Sequence, residues 1–559
     1  MRHFVSYFND SVKKHWDLPA LTNFGKETYT YGQMAEQIAK YHVLFSDAGI
    51  GKGDKIAIYA RNSAEWVIAY FATLTYEAVT VPFLPDFIPG AVAELSAFSE
   101  CKLLIADDIA INGLKGDDKY IEQLESTKGF AGILNIKDMS VAHATDKVLA
   151  DTSAAIDDHF AKLYPNGISA GDINFYPQER DLEDVVEISF TSGTTSATSK
   201  GVVLPARSLS ANLEFGFREI PACTGGHIFA ILPMAHMFGQ AFDVLFTMSS
   251  GCHVFVMPGK PTPARLLSGL AAVKPFMFLT VPLIIEKIFK SKVFPATRKF
   301  PAKLLLKIPG LDRIVLGKIK KSLLTAFGNG LTTGLILGGA ALNREVEDLL
   351  KRMKFPYTVG YGMTECGPII SYRDKSEYVK YSCGTNVGSV DIRIDSSNPY
   401  RVLGEIQVKG DATMLAYSTT EEATAAAFTS DGWLRTGDMG LFDRKGNLFI
   451  KGRCKNMILT ASGQNIYPEE IEDKINNLPY VVESLVVGRK NAIVALVVAD
   501  YEAGKKDGLD EKALETLVNN NVLALNPELA AYSKIGYTEI RREGFEKTPK
   551  QSIKRFMYS

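Results

Sequence analysis

At 559 residues the chain is long enough, at about 150 residues per domain, for three or four packed units, which excludes a single small binding module. Its 46% hydrophobic and 22% charged residues are those of a globular protein and exclude a disordered one. With 62 Lys+Arg against 63 Asp+Glu the net charge is -1, so no global basic field recruits nucleic acid and no acidic tail solvates the chain.

Six scattered cysteines (Cys101, Cys223, Cys252, Cys366, Cys383, Cys454) form no C-x-x-C pair and no Cys/His cluster at zinc spacing, which fits a reduced compartment. The opening MRHFVSYFND lacks the cationic start, apolar stretch and cleavage site of a secretory signal, so the cytoplasm is the expected location.

In chain order, a helical pattern runs through Met34, Ile38 and Phe45. An apolar run follows from Lys55 to Ala60, then a helix from Ser63, a strand from Val79 to Pro82, a helix from Ala91 to Ser99, and the strand-like KLLIAD from Lys102. Strands alternating with helices at these short spacings predict a parallel sheet with crossover helices, an α/β fold.

Residues 107–187 carry 17 Asp+Glu against 7 Lys+Arg around a Ser/Ala/Asp-rich centre, and read as a solvated insert. The most apolar tract, Gly226 to Gly259, contains three histidines, Asp243 and several Gly and Pro. A membrane-spanning helix needs about 20 nearly uninterrupted apolar residues, so the tract reads as buried core. Between Glu286 and Lys321 stand 11 Lys+Arg and 2 acids, interleaved with Phe289, Phe294, Phe300, Leu304 to Leu306 and Ile308. That pairing of basic and apolar residues suits either a surface touching anionic lipid or helices whose lysines face water over an ordinary core. After Leu403, GEIQVKG and GNLFIKGR read as hairpin strands. From about Asn456, helices (Pro468 to Asn476, Glu511 to Asn519) and strands (Ser484 to Gly488, Ala492 to Val498) predict a small α+β lid.

The strongest local feature is SFTSGTTSATSKGVV, Ser189 to Val203, after the apolar run Val185 to Ile188. Gly, Ser and Thr ending in Lys-Gly supply backbone N–H groups, hydroxyls and one ammonium, the set that holds a polyphosphate, and a nucleotide is the implied ligand. The spacing is not that of a P-loop, because no Gly precedes Lys200 and Gly follows it. GGAALNREVEDLL, Gly338 to Leu350, places adjacent glycines where backbone approaches a flat ring, with Asn343 as a helix cap. VGYGMTECGP, Val359 to Pro368, offers the Tyr361 ring, the Thr364 hydroxyl and the Glu365 carboxylate, a hard oxygen ligand of the type Mg²⁺ takes. In DGWLRTGDMG, Asp438 stands in a Gly-flanked turn suited to a ribose diol, and Arg453 is a fork donor in KGRCKNMILTASGQNIYPEEIE.

In this order, TSGTT…KG, GYGMTE, GWLRTGD and GR-x-K-x-x-I…G-x-N-x-YP-x-E-IE resemble the adenylate-forming superfamily of acyl-CoA synthetases, peptide-synthetase adenylation domains and beetle luciferases. The resemblance covers nearly the whole chain. It implies a large N-terminal domain (1–452) of parallel-rich sheets with a small barrel subdomain, a hinge (453–455) and a mobile C-terminal lid (456–559). Carried over residue by residue, the loop with Thr191, Ser192, Gly193, Thr194 and Thr195 would hold the β- and γ-phosphates of ATP, with Lys200 as its cation. Gly338, Gly339 and Ala340 would line the adenine site with Tyr361 and Gly362. Thr364 would contact the α-phosphate, Glu365 would bind Mg²⁺, and Asp438 and Arg453 would bind the ribose. Lys455 matches the hinge residue, and Ser462 and Gly463 would flank the thiol tunnel of coenzyme A.

The chain departs from the family pattern twice. The phosphate loop has Ser196 where the family usually has Gly, and one residue more. In EKTPKQSIKRF, Glu546 to Phe556, Ser552 stands where the catalytic Lys normally does. Alternation along an extended segment puts Lys550 and Lys554 on the same side as that position. Lys554 is favoured because a K-R pair ends this element in some long-chain fatty acyl-CoA synthetases.

The stretch ILPMAHMFGQAFDVLF, Ile231 to Phe246, is similar to an element of the fatty acyl-CoA synthetases, and His236 is assigned to the acyl-adenylate pocket. No charged residue lies between Ile228 and Gln240 apart from that histidine's capacity to protonate, so an apolar tail suits the wall, and a medium- to long-chain fatty acid is the expected substrate. An aromatic acid, an acyl-carrier protein as thiol donor, a homodimer, and an adenylate-binding scaffold without turnover stay open at this point.

Overall fold

The structure, a computed structural model of the chain, describes residues 1–191, 199–221, 223–259, 262–459, 465–489, 492–547 and 553–558. The apolar runs expected as strands form Lys55–Tyr59 and Val79–Phe83, parallel neighbours in an eight-stranded sheet. From one edge that sheet runs Ala416–Tyr417, Gly201–Pro205, Val185–Phe190, Val79–Phe83, Lys55–Tyr59, Cys101–Ala106, Gly132–Asn135 and Val141–Ala144. Its five central strands are parallel, and antiparallel strands close both edges.

The helices on either side of Lys55–Tyr59 begin where side-chain caps satisfy free backbone N–H groups. Thr30 and Gln33 form a reciprocal capping box for Tyr31–Asp47, and the Ser63 hydroxyl caps Ala64–Thr75. The second of these helices is buried at all positions but Glu65, so it lies between layers rather than on a surface.

A seven-stranded sheet, also mostly parallel, runs Tyr357–Val359, Gly334–Leu337, Met277–Thr280, His227–Ala230, His253–Val256, Pro19–Asn23 and Thr28–Thr30. The apolar tract from Gly226 lies here as expected, in two buried strands joined through a π-helix, Gln240–Leu245. Four antiparallel strands, Asp391–Asp395, Gly404–Lys409, Leu434–Phe442 and Leu448–Arg453, form a separate sheet that includes both expected hairpin segments. The C-terminal part has its own sheet (Val481–Arg489, Ala492–Ala499, Ile535–Arg541) and its own core around Ile471, Ile475, Val497 and Val518. The architecture is mixed α/β, a large N-terminal domain with parallel-rich sheets followed by a small C-terminal domain. Among the described residues no helix is long and apolar enough to cross a membrane.

One expectation is overturned. The acidic region 107–187 is not a solvated insert, because Gly132–Asn135 and Val141–Ala144 extend the eight-stranded sheet and Ile133, Leu134 and Leu149 are buried. Several of its acids are helix caps: Asp107, Asp117 and Asp146 each accept a backbone N–H at the start of a short helix. At these three positions the acid marks a helix beginning.

Candidate active site

The stem of the loop expected to hold phosphate is closed by backbone pairing. Strand Val185–Phe190 leaves the sheet, Gly201–Pro205 returns antiparallel beside it, and the Thr191 N–H donates to the Lys200 carbonyl at 2.9 Å. Thr191 and Lys200 therefore stand at the mouth of the loop, while Ser192, Gly193, Thr194 and Thr195 lie outside the described residues. The Lys200 ammonium sits 4.4 Å from the ring centre of Tyr417, a residue the sequence reading did not single out.

The Tyr417 hydroxyl donates to Glu365 Oε1 at 2.7 Å, and the Glu365 carbonyl accepts the Met414 N–H. Thr364 and Glu365 open a 3₁₀ turn, Thr364–Cys366, directly after the short strand Tyr361–Gly362, and Thr364 is buried. A glycine is required at 362, since a Cβ there would lie 2.1 Å from the Pro368 carbonyl oxygen. The tight return of this hairpin is what brings Thr364 and Glu365 beside Tyr417.

Asp438 and Arg453 face one another across the antiparallel pair Leu434–Phe442 and Leu448–Arg453. Arg453 Nε lies 2.9 Å from Asp438 Oδ1, and the Tyr361 hydroxyl donates to Oδ2 at 2.7 Å. Burial pushes the Asp438 carboxyl above its ordinary range, opposed by Arg453 and the Tyr361 hydrogen bond. The three residues assigned to adenosine thus meet in one hydrogen-bonded group.

Gly338, Gly339 and Ala340 follow strand Gly334–Leu337, and the Gly360 N–H donates to the Leu337 carbonyl beside them. They stand at the carboxyl ends of parallel strands, where open α/β sheets bind ligands. A Cβ on Gly338 would come within 3.1 Å of the Phe238 ring, and Gly339 adopts φ +84°. Phe238 was not anticipated from the sequence. It lies two residues past His236, whose Nδ1 accepts the Phe238 N–H as the cap of a short helix. Asn62 holds the preceding segment through the Leu232 carbonyl and the Met234 N–H.

Asn343 caps the helix Arg344–Arg352 and donates to Asn477 Oδ1 at 2.6 Å, and Arg344 lies 3.5 Å from Asp473. The C-terminal helix Pro468–Asn476 therefore rests on the element that follows Gly338 to Ala340. Lys455 lies in the 3₁₀ turn Cys454–Asn456, anchored by the Asn456 amide to Glu469. Ser462, Gly463 and Lys550 lie outside the described residues. Lys554 pairs with Glu546, 3.6 Å away in its own segment, and among the described residues makes no hydrogen bond or ion pair to the group around Asp438 and Glu365.

Among the described residues no three His, Cys, Asp or Glu side chains converge as a metal cage. The single carboxylate of Glu365 suits Mg²⁺, which is commonly held by one or two carboxylates together with substrate phosphates.

Comparison with known proteins places most of the chain in one family. The AMP-binding enzyme family matches residues 8–418, and the AMP-binding enzyme C-terminal domain matches residues 455–558. The chain is 28% identical over 504 residues to the peroxisomal long chain acyl-CoA synthetase 6 of Arabidopsis thaliana, covering 84% of this chain and 69% of that protein. It is 27% identical over 511 residues to 4-coumarate--CoA ligase CCL1 of Humulus lupulus, covering 87% and 82%. Its fold superposes on ATP-bound MatB from Rhodopseudomonas palustris with a TM-score of 0.76 at 21% identity, over 99% of this chain and 97% of that one. The chain belongs to the AMP-binding enzyme family, as an ATP-dependent, acyl-adenylate-forming acid–CoA ligase of the kind that uses ATP, Mg²⁺ and coenzyme A.

Proposed function

We propose that the protein activates an apolar carboxylic acid, a medium- to long-chain fatty acid, to its coenzyme A thioester. In the first half-reaction the substrate carboxylate displaces pyrophosphate from the α-phosphorus of ATP in line. Lys200 and the loop that starts at Thr191 hold the outer phosphates, Thr364 contacts the α-phosphate, and Asp438 and Arg453 hold the ribose. Gly338, Gly339, Ala340, Tyr361 and Gly362 enclose the adenine. Glu365 would hold Mg²⁺, which would neutralise part of the charge that repels the incoming carboxylate. No protein nucleophile is needed.

In the second half-reaction the coenzyme A thiol attacks the acyl carbonyl and AMP leaves. The C-terminal lid, 456–559, turns about the hinge at 453–455, with Lys455 at its centre, to exchange one set of side chains for another. Lys554, or Lys550, serves adenylation, and Ser462 and Gly463 flank the thiol path.

The observation that carries the choice of acid is the apolar stretch from Ile231 to Phe246. Leu232, Met234, Met237, Phe242, Leu245 and Phe246 are all buried, and the one acid among them, Asp243, is itself buried and driven toward its neutral form by burial. An aromatic acid is the second reading, favoured by Phe238 beside Gly338 and by likeness to 4-coumarate ligases. Pyrophosphate release measured with a panel of fatty and aryl acids, with coenzyme A, carrier protein or neither, tests both. Turnover fastest with fatty acids and coenzyme A is expected. Preference for aryl acids or for carrier protein would replace this reading, and no release with any acid would leave a scaffold.

The segment 286–321 also fits contact with anionic lipid. Phe300 is 83% exposed, and Leu304, Ile308, Leu311 and Ile314 are exposed near it, among Lys299, Lys303, Lys307 and Arg313. Leu316 and Leu323 of the helix Leu311–Ala326, which begins in this segment, are buried, so it is anchored on the core and its outer face is the apolar and basic one. Such a face would dock the protein where apolar acids reside.

A further inference from the structure

Tyr417 occupies a position that the activity by itself does not explain. Its two-residue strand, Ala416–Tyr417, pairs antiparallel with Gly201–Pro205, and Tyr417 lies opposite Val202. The Ser418 N–H donates to the Gly201 carbonyl at 2.7 Å, so the backbone at Tyr417 is pinned to the residue that follows Lys200. From there the side chain reaches across to the other half of the site.

Each part of that side chain touches a different charge. The hydroxyl donates to Glu365 Oε1 at 2.7 Å, and the ring face lies 4.4 Å from the Lys200 ammonium. Glu365 Oε2 accepts no hydrogen bond among the described residues, and Lys200 and Glu365 form no ion pair with each other although both touch the same tyrosine.

A lysine and a glutamate this close to a common neighbour would ordinarily neutralise one another, and a direct pair would occupy the groups that ATP and its divalent cation need. The aromatic face offers the ammonium a weak electrostatic seat that a polyphosphate can outcompete. The phenol O–H fixes the carboxylate plane through one oxygen and leaves the other for a cation.

We propose that Tyr417 is a positioning residue: it keeps Lys200 and Glu365 apart and aimed, the one toward phosphate and the other toward the divalent cation. The inference rests on the assignment of Glu365 to Mg²⁺ and of Lys200 to phosphate. It gives the two charges a shared support at a side chain that belongs to neither motif.

Calorimetric titration of ATP, with Mg²⁺ and with EDTA, tests this in the full-length protein and in the variants Tyr417→Phe, Tyr417→Leu, Glu365→Gln and Tyr417→Phe/Glu365→Gln. The phenylalanine keeps the ring and loses the hydroxyl, so the tightening caused by Mg²⁺ should fall about tenfold. Binding in EDTA should stay within about twofold of the parent, because the seat for Lys200 remains. The leucine should weaken binding in EDTA as well, and the double variant should be no weaker with Mg²⁺ than Glu365→Gln alone. If Glu365→Gln loses the Mg²⁺ effect and Tyr417→Phe keeps it, the role of Tyr417 is overturned while that of Glu365 stands. If Glu365→Gln keeps the Mg²⁺ effect, both are overturned. Should the leucine variant show no cooperative thermal transition, the phenylalanine and the double variant decide the matter.

Discussion

Arg453 Nε lies 2.9 Å from Asp438 Oδ1, the two residues directly opposite across an antiparallel strand pair, with the Tyr361 hydroxyl on the other carboxylate oxygen. Asp438 is 5% exposed, so its carboxylate is presented in a fixed direction rather than as a mobile surface charge. Replacing it by Asn keeps the shape and removes the charge. Asp438→Asn should weaken ATP binding about tenfold, and the loss should shrink with 2′-deoxy-ATP if the carboxylate grips the ribose diol. An equal loss with both nucleotides, measured by calorimetry, would remove Asp438 from the ribose site.

The role proposed for Lys554 belongs to the first half-reaction alone. Lys554→Ala should depress adenylate formation by about two orders of magnitude or more, while thioester formation from supplied acyl-adenylate persists. Rapid-quench measurement of each half-reaction checks this, and unchanged adenylation would move the role to Lys550.

Glu187 is a pH-dependent weak point of the core. Fully buried within the strand Val185–Phe190, it accepts a hydrogen bond from Gln240 at 2.9 Å, and burial raises its pKa from the ordinary 4.5 to about 8, against the effects of Gln240 and Tyr70. The folded state keeps this proton up to about pH 8 while the unfolded chain releases it near 4.5. The unfolded state therefore binds fewer protons across that window, and stability falls as pH rises through it. Glu187→Gln should raise stability at pH 8 by about 2 to 4 kcal/mol, with the gain vanishing toward pH 4. Thermal unfolding curves at both pH values check it, and an equal shift at both would contradict the assignment.

The apolar and basic face near Phe300 predicts binding to anionic vesicles that weakens as salt is added, and that loses about 1 kcal/mol for each Lys removed. Phe300→Ser should reduce sedimentation with phosphatidylglycerol vesicles and leave turnover of a short, water-soluble acid unchanged. No binding at low ionic strength would return the segment to an ordinary surface.

Gly362→Ala should fail through backbone geometry. The added Cβ meets the Pro368 carbonyl oxygen at 2.1 Å, and moving either strand displaces Thr364 and Glu365. A loss of about 2 kcal/mol or more in stability, with ATP binding impaired in whatever folds, is expected. A variant with parental stability and affinity would show the hairpin to be more tolerant than its packing implies.

Much of this protein is written locally. The strands Lys55–Tyr59 and Val79–Phe83 and the helices before and between them follow from short-range periodicity and caps at Thr30 and Ser63, and the ordered motifs point to ATP because each carries its own donors. What lay beyond local reading are relationships across distance. Tyr417 and Glu365 are 52 residues apart and meet only through strand pairing beside Lys200. Phe238 meets Gly338 only where two parallel strands end together. The acids at Asp107, Asp117 and Asp146 read as a solvated stretch until the sheet that their helices flank was in place. Periodicity and composition record what each residue prefers on its own, whereas register, which sets two side chains from different strands at hydrogen-bond distance, is decided by the packing of the whole chain.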